Sequence, residues 1–367
     1  METTMFGNVV DQETLQIMID TRAEKFNAPW YKQYFTFAVP QLSLTYSSVL
    51  GTSTITPAAP FATRDGETQL AARERLEKMT GEIPPIKYMR DLNEEQVRNY
   101  KVLQALQGVT DQDKKMQALK LIWDDVKYVS ESVDNRLNLT AAQAISTGKI
   151  NITADNNPLG IVVGEIDLKM PAENKVNASN DWSDAAASKP ITDIIGVVNK
   201  ASDKGLLFAK ILIERSAMFN FLQSKEVKET VGTFFGLSAA ARSSQTAPLT
   251  IDRINEYMTA AKLPVFEVTD IRVAVQKDGK DSIIKPFEES NLAFIPEGNL
   301  GEIKNALAME EMEPVEKVIY AKNNRTLISK WKQNEPFKEW TKAELNAFPV
   351  VGAIKYIFLL STTKSFS

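Results

Sequence analysis

No glycine or proline falls between Gly108 and Gly148, and most of that stretch reads as one helix. From Met116 onward the positions Met116, Leu119, Trp123, Val126, Ser130, Val133, Leu137, Thr140 and Ala144 recur at three-four spacing. That spacing lays one stripe, apolar apart from Ser130 and Thr140, along a single helix face. A helix over 111–147 is roughly 55 Å long at 1.5 Å per residue. Ordinary globular helices run about three turns, so this one is too long to be wrapped by a compact core. A coiled-coil seam or a bundle helix is the plainer alternative. The chain turns into strand directly after Gly148, which favours a stiff beam in an architectural protein.

Composition narrows the chemistry. The 367 residues hold no cysteine and no histidine, with 43% hydrophobic and 25% charged side chains. Without cysteine there are no disulfides, thiolate nucleophiles or cysteine metal sites. Without histidine the residue most used for proton transfer near neutral pH is missing. The formal net charge of −4 gives no basic face for gripping nucleic acid. Residues 1–11 lack the basic start and apolar core of a secretory signal. The apolar stretch 348–360 is too short for a bilayer and contains Lys355; it reads as a buried strand. A cytoplasmic place of synthesis and use is expected.

Asp11 can cap a helix carrying Leu15, Met18 and Ile19 that runs to about Phe26. The aromatic cluster Trp30, Tyr31, Tyr34, Phe35 and Phe37 leads into an extended run over 37–49. Residues 51–91 differ in kind, with Pro57, Pro60, Pro84, Pro85 and a charged middle over 64–78. Compact domains rarely carry so long a connection without structure. It is either disordered or an arm folded against something else. The alternation Ser53-Thr54-Ile55-Thr56 and the exit residues Ile83, Ile86 and Tyr88 favour a hairpin-like arm. A helix over 94–107 precedes the long one.

Strands at 150–154 and 160–167 flank the turn Asp155-Asn156-Asn157-Pro158. Pro190 opens a helix whose apolar face is Ile191, Ile194, Ile195 and Val198, with Gly205 past its end. Beyond it strand and helix alternate: a strand at 207–214, a helix capped by Ser216, and another capped by Thr250. Strands at 265–268 and 271–275 follow, then a hairpin at Asp278-Gly279 and a strand at 291–295. This alternation describes a lobe with a mixed sheet. The segment 350–360 returns as strand.

Candidate chemistry is thin. Glu165 and Asp167 share one side of a strand, and paired carboxylates can run glycoside chemistry or hold a divalent ion; a solvated strand face explains them as well. Asp181 and Asp184 flank Trp182 in a polar loop and read as a surface anchor. Glu310, Glu311 and Glu313 look like an exposed acidic run. Gly232-Thr233-Phe234-Phe235-Gly236 lacks the Lys-Ser or Lys-Thr of a phosphate loop, and Lys200, Lys204 and Lys210 are scattered charges. No catalytic constellation emerges, which suits a structural role.

The order of elements resembles the major capsid proteins of tailed bacteriophages with the Hong Kong 97-like fold, in particular the phage lambda-type group. Lys25-Phe26, Pro29 and the aromatics through Phe35 look like that group's N-arm, and Pro57 to Pro85 occupies the place of its extended loop. The long helix entering Thr147-Gly148-Lys149 looks like its spine helix. Trp182-Ser183, Pro190 with Asp193-Ile194, the strand 211–214 and the helix with Ala217, Phe219 and Phe221 match in order. Asp278-Gly279 and Phe294-Ile295-Pro296-Glu297-Gly298 continue the match.

The resemblance implies an α+β capsid fold. Its expected parts are an N-arm (1–50), an extended loop (51–91), a peripheral domain (92–191) with spine helix and hairpin (150–167), an axial domain (192–340) and a returning peripheral strand (341–367). It implies a virion shell subunit forming hexamers and pentamers of an icosahedral head around double-stranded DNA, assembled in a bacterial cytoplasm. Expected partners are further copies, a scaffolding protein, a portal and a decoration protein, with no cofactor, no metal and no membrane. Arg64, Asp65, Glu67, Arg73, Glu74, Arg75, Glu77 and Lys78 of the loop are expected at subunit contacts. Met116, Leu119, Trp123, Val126, Val133 and Leu137 are expected to pack the spine, with Trp182 and Pro190 as anchors. With so short a stretch before the N-arm, no long internal scaffold is expected. The loop and the tail do not match residue by residue, so no cross-linking lysine is assigned. An encapsulin-like shell filled with protein cargo is the nearer alternative, and a hydrolase using Glu165 or Asp167 the more distant one.

Overall fold

The computed structural model describes residues 11–50, 77–105, 111–158, 160–237, 249–277 and 280–366. The chain runs α1 (Gln12–Thr21), β1 (Phe35–Phe37), β2 (Thr45–Leu50), β3 (Glu77–Glu82), β4 (Pro85–Asn93), α2 (Glu94–Ala105) and α3 (Asp111–Thr147). It continues with β5 (Lys149–Ile152), β6 (Gly164–Asp167), β7 (Lys175–Asn177), α4 (Pro190–Ser202), β8 (Lys210–Glu214), α5 (Arg215–Gln223) and α6 (Lys225–Phe234). Then come α7 (Ile251–Ala260), β9 (Val265–Thr269), β10 (Val273–Lys277), β11 (Lys280–Ile284), β12 (Asn291–Ile295) and β13 (Gly301–Ala306). The last are α8 (Met309–Met312), β14 (Val318–Asn323), β15 (Thr326–Gln333), β16 (Lys338–Val350) and β17 (Phe358–Ser361).

The long helix is present over its full expected span of 37 residues. Gly148 ends it with φ +71°, and a Cβ there would meet Met170 Cβ at 3.0 Å, so only glycine fits both the turn and the packing. Trp123, Val126, Ser130, Val133, Leu137, Thr140 and Ala144 are buried, as is Ile122. Met116 is not: it is 57% exposed, because the amphipathic pattern continues past the point where the sheet stops covering it. Leu119 is only partly covered.

Two sheets divide the fold. The first runs β1-β13-β16-β15-β14, with β4 also paired along β16, and packs against α3. Gly301 marks a close approach in it, since a Cβ would lie 2.1 Å from the Val350 carbonyl oxygen. The second runs β7-β17-β12-β8-β9 and is covered on both faces. Strand alternation divides its side chains between the two cores. Leu212, Ala293, Ile295 and Leu359 join the core built on α3. Ile211, Ile213, Leu292, Phe294, Phe358 and Leu360 join the core under α4 to α7. Such double-sided burial explains the unbroken apolar runs of β8, β12 and β17.

The strand pairing crosses the lobe boundaries expected from the sequence. β13 to β16 belong to the sheet on α3, although 192–340 reads as a single lobe. β17 pairs with β12 and β7 in the second sheet, so the last strand does not return to the first. The tail is not one strand either: β16 stops at Val350 and a 3-10 turn at Ile354–Tyr356 precedes β17. β4 is a full member of the first sheet, which places 85–91 outside the arm.

Local expectations shift in smaller ways. α1 is capped by Asp11, which accepts from the Thr14 amide at 2.7 Å, but it stops at Thr21 before a 3-10 turn at Ala23–Lys25. That turn lets Phe26 reach Trp123 (centroids 5.0 Å apart). The buried face of α4 is Ile191, Ile194, Val197 and Ala201, while Ile195 is 38% exposed. β8 starts at Lys210, after an exposed Leu207. Glu214 caps α5 in place of Ser216, accepting the Ser216 amide. The glycine-bearing run from Gly232 lies mostly within α6. β10 begins at Val273, and the Asp278-Gly279 turn lies outside the described residues, with Lys277 facing Lys280 across it.

Candidate assembly surfaces

The N-terminal segment is laid along α3 by side chains spaced one helical turn apart. Arg22 sits over the Trp123 ring at 5.2 Å. The Asn27 amide donates to Glu131 (2.9 Å), the Tyr31 hydroxyl to Asp134 (2.8 Å) and the Tyr31 amide to Asn138 (3.0 Å). Burial, with Asp134 alongside, pushes the Tyr31 phenol far up, and burial also raises Asp134. Sequence reasoning named only the apolar stripe. The polar row Glu131, Asp134 and Asn138 beside it, at spacings three and four, was the available signal.

The strands that flank residues 51–76 are firmly seated. β2 and β3 pair antiparallel from Thr45–Glu82 to Leu50–Glu77. Tyr46 stacks on Phe348 (5.9 Å, 24°), and burial pushes its phenol up to about 12. Ile83 is fully buried beside it, and its amide donates to Leu44 (2.6 Å). Of the expected loop contacts, Arg64, Asp65, Glu67, Arg73, Glu74 and Arg75 lie outside the described residues. The backbones of Glu77 and Lys78 lie in β3, opposite Leu50 and Val49.

Trp182 is buried to 1% and held three ways. Its indole donates to Asp193 (3.1 Å), its amide to Thr362 (2.9 Å), and its ring packs on Phe221 (5.7 Å). Asp181 accepts the Lys364 amide at 2.8 Å, so the loop and the tail are stitched together. Pro190 occupies the first turn of α4, where Glu226 of α6 accepts the Ile191 amide at 2.8 Å.

The acidic run is not simply exposed. Glu310 takes Lys342 and Ser329, and Glu311 takes Lys322, leaving the Glu311 side chain 9% accessible. Lys342 also pairs with Glu344 (2.9 Å), which pairs with Lys87 (2.9 Å), so the outer face of the first sheet carries a charge network.

Among the described residues nothing resembling a reaction centre assembles. Glu165 pairs with Lys149 at 2.8 Å on an open hairpin, and Asp167 is exposed on the same face. The best-formed cleft, about 370 Å³, is shallow; Glu214, Arg215, Phe219, Arg272 and Lys285 line it, and its cations are paired with Glu214, Asp270 and Glu289. Among the described residues no group of three or more acidic side chains is placed to hold a metal ion, and no helix is long and apolar enough to cross a membrane.

The family model described as phage major capsid protein E matches residues 14–360. The chain belongs to that family. It is a head-shell subunit and a component of the virion. No curated protein matches it. Among solved structures it resembles the putative capsid protein of a prophage of E. coli CFT073, with TM-score 0.58 and 17% identity over 96% of this chain and 99% of that one. It also resembles a phage-related protein from Bordetella bronchiseptica RB50, with TM-score 0.51 and 12% identity over 96% and 98%. At such identities the likeness concerns the fold, which is the mixed α+β capsid fold built on a spine helix. In this capsid protein the described apolar surface includes the segment between β1 and β2, where Val39 is 85% and Leu42 71% exposed, and Ile161, Val162 and Val163 between β5 and β6.

Proposed function

We propose that this capsid protein forms hexamers and pentamers that close into an icosahedral head around double-stranded DNA. The observation that carries the reading is the 37-residue spine, which contributes to the core of the first sheet and contacts the second through Ser146. A rigid member of that kind suits a thin wall. On this reading the second sheet with α4 to α7 is the ring-centre part, α3 with the first sheet is the periphery, and the arm rooted at Tyr46 reaches a neighbour. The loop charges Arg64 to Lys78 lie at that contact, and Trp182 and Pro190 hold the lobe that meets the ring centre.

A net charge of −4 keeps the wall from adhering to the packaged polymer. Assembly takes place in a bacterial cytoplasm with a separate scaffolding protein and a portal, and a decoration protein adds to the outside. Expressed alone, the chain gives capsomer-sized pieces, tubes or irregular shells; with its scaffold it gives closed heads. Electron microscopy of both preparations tests this. Uniform closed shells from the lone chain, carrying protein cargo instead of nuclease-protected DNA, would overturn it in favour of an encapsulin-like compartment.

A further inference from the structure

The apolar stripe of α3 nearly repeats itself after one turn. Moving the helix by four residues puts Ile122 where Ala118 was, Val126 where Ile122 was, Val133 where Val129 was and Leu137 where Val133 was, all of them buried. Hydrophobic burial is non-directional, so this stripe alone discriminates weakly between seatings about one turn apart on the sheet. Buried polar side chains at Asp125, Ser130, Asn138, Thr140 and Ser146 break the repeat, and of these Asp125 alone carries a charge. Asp125, with a side chain 4% accessible, projects from α3 towards the first sheet and pairs with Arg90 of β4 at 3.3 Å. Lys330 of β15 and Glu339 of β16, fully buried and paired at 2.9 Å, lie within its field, and Lys330 donates to Thr341 at 3.1 Å. In strand register Arg90, Thr341 and Lys330 form one row across β4, β16 and β15.

We propose that Asp125 is a register key that admits only one seating of the spine helix on the sheet. A slide of four residues either way would carry its carboxylate to the place now held by Leu121 or Val129. There it would lose Arg90 and Lys330; at the fully buried Val129 place the unpaired charge is severely penalised, and at the partly covered Leu121 place the ion pairing is forfeited. Ser130, whose hydroxyl accepts from Asn323 at 2.8 Å in a buried contact, adds a second fixed point. The inference concerns the subunit and stands independently of what the shell encloses.

Disulfide trapping tests it cleanly because the chain has no cysteine of its own. The pair S130C/N323C reports the native seating, and V126C/N323C and D134C/N323C report seatings one turn away. With Asp125 intact, only the first pair should cross-link on mild oxidation. In the D125L background the displaced pairs should cross-link at least tenfold more, with circular dichroism unchanged. If D125L fails to fold, D125N supplies the answer, and a rise of several-fold in the displaced cross-links is expected. Cross-links confined to the native pair in the folded Asp125 variant would overturn the proposal.

Discussion

Lys330 and Glu339 form an ion pair with side chains 0% and 1% accessible, so neither charge shares its field with water. Breaking such a pair from one side leaves an uncompensated buried charge and costs about 3–5 kcal/mol. Lys330→Met and Glu339→Leu should therefore each destabilise the unassembled subunit by about that much. Lys330→Met should be the worse of the two, because in Glu339→Leu the ammonium keeps Thr341 at 3.1 Å and the field of Asp125. The double variant removes both charges and places two apolar side chains beside Ile319, Ile328 and Leu92. Replacements of that kind are often neutral or stabilising by about 1–4 kcal/mol. The cycle should thus return a coupling of at least about 6 kcal/mol. Urea denaturation of dissociated subunits, followed by circular dichroism and by tryptophan emission, measures all four proteins. Single variants within about 1 kcal/mol of wild type, or a double variant as unstable as the sum of the singles, would refute the reasoning.

Three further outcomes are expected. Val126→Asp places a charge at a fully buried point of the spine and should cost several kcal/mol, seen as a lowered denaturation midpoint or insoluble protein. Deleting residues 63–75 and bridging with a short flexible linker leaves β2 and β3 intact; the subunit should fold, with unchanged circular dichroism, and assembly measured by light scattering should fail. Burial pushes the Glu344 carboxyl up, but Lys87 and Lys342 outweigh it and hold it below the ordinary glutamate value of 4.5. Its stabilising contribution is therefore complete above about pH 4.5 and is lost as pH falls through the depressed value. Glu344→Gln should lose its stability deficit relative to wild type in that acid window, as read from denaturation midpoints against pH.

The spine was legible to the residue because nothing in the stretch opposes a helix and Gly148 supplies the left-handed stop. Its packing was legible only in part. Met116 obeys the same periodicity as Val133, and periodicity says which face is apolar, not how far the covering sheet extends. The sheet order was not legible. β1 pairs in parallel with β13, Phe35 opposite Gly301, and β17 pairs in parallel with β7, with no local turn to announce either. Phe358-Leu359-Leu360 has the same apolar character as Leu292-Ala293-Phe294, so nothing in its composition tells which sheet it joins. Lys330 and Glu339 were passed over for a related reason. Lys330-Trp331-Lys332 and Lys338-Glu339-Trp340 alternate charge with aromatic side chains, and only the packing of α3 on the sheet buries the Lys330 and Glu339 side. Most of the loop charges named as contacts from the sequence lie outside the described residues.

One small pairing carries weight out of proportion to its size. The Gln16 side chain donates to the Lys322 carbonyl at 3.0 Å and accepts from the Lys322 amide at 2.8 Å, so an amide group imitates the next strand along the border of β14. Exposed borders of that sort are templates for zipping one chain onto another. With the Lys322 amide and carbonyl taken, a neighbour arriving at this point of the border meets the surface of α1, including a half-exposed Ile17. Side-chain contacts of that kind can be made and released. Subunits that must try several placements before a closed particle forms are thereby spared a bond they could not undo.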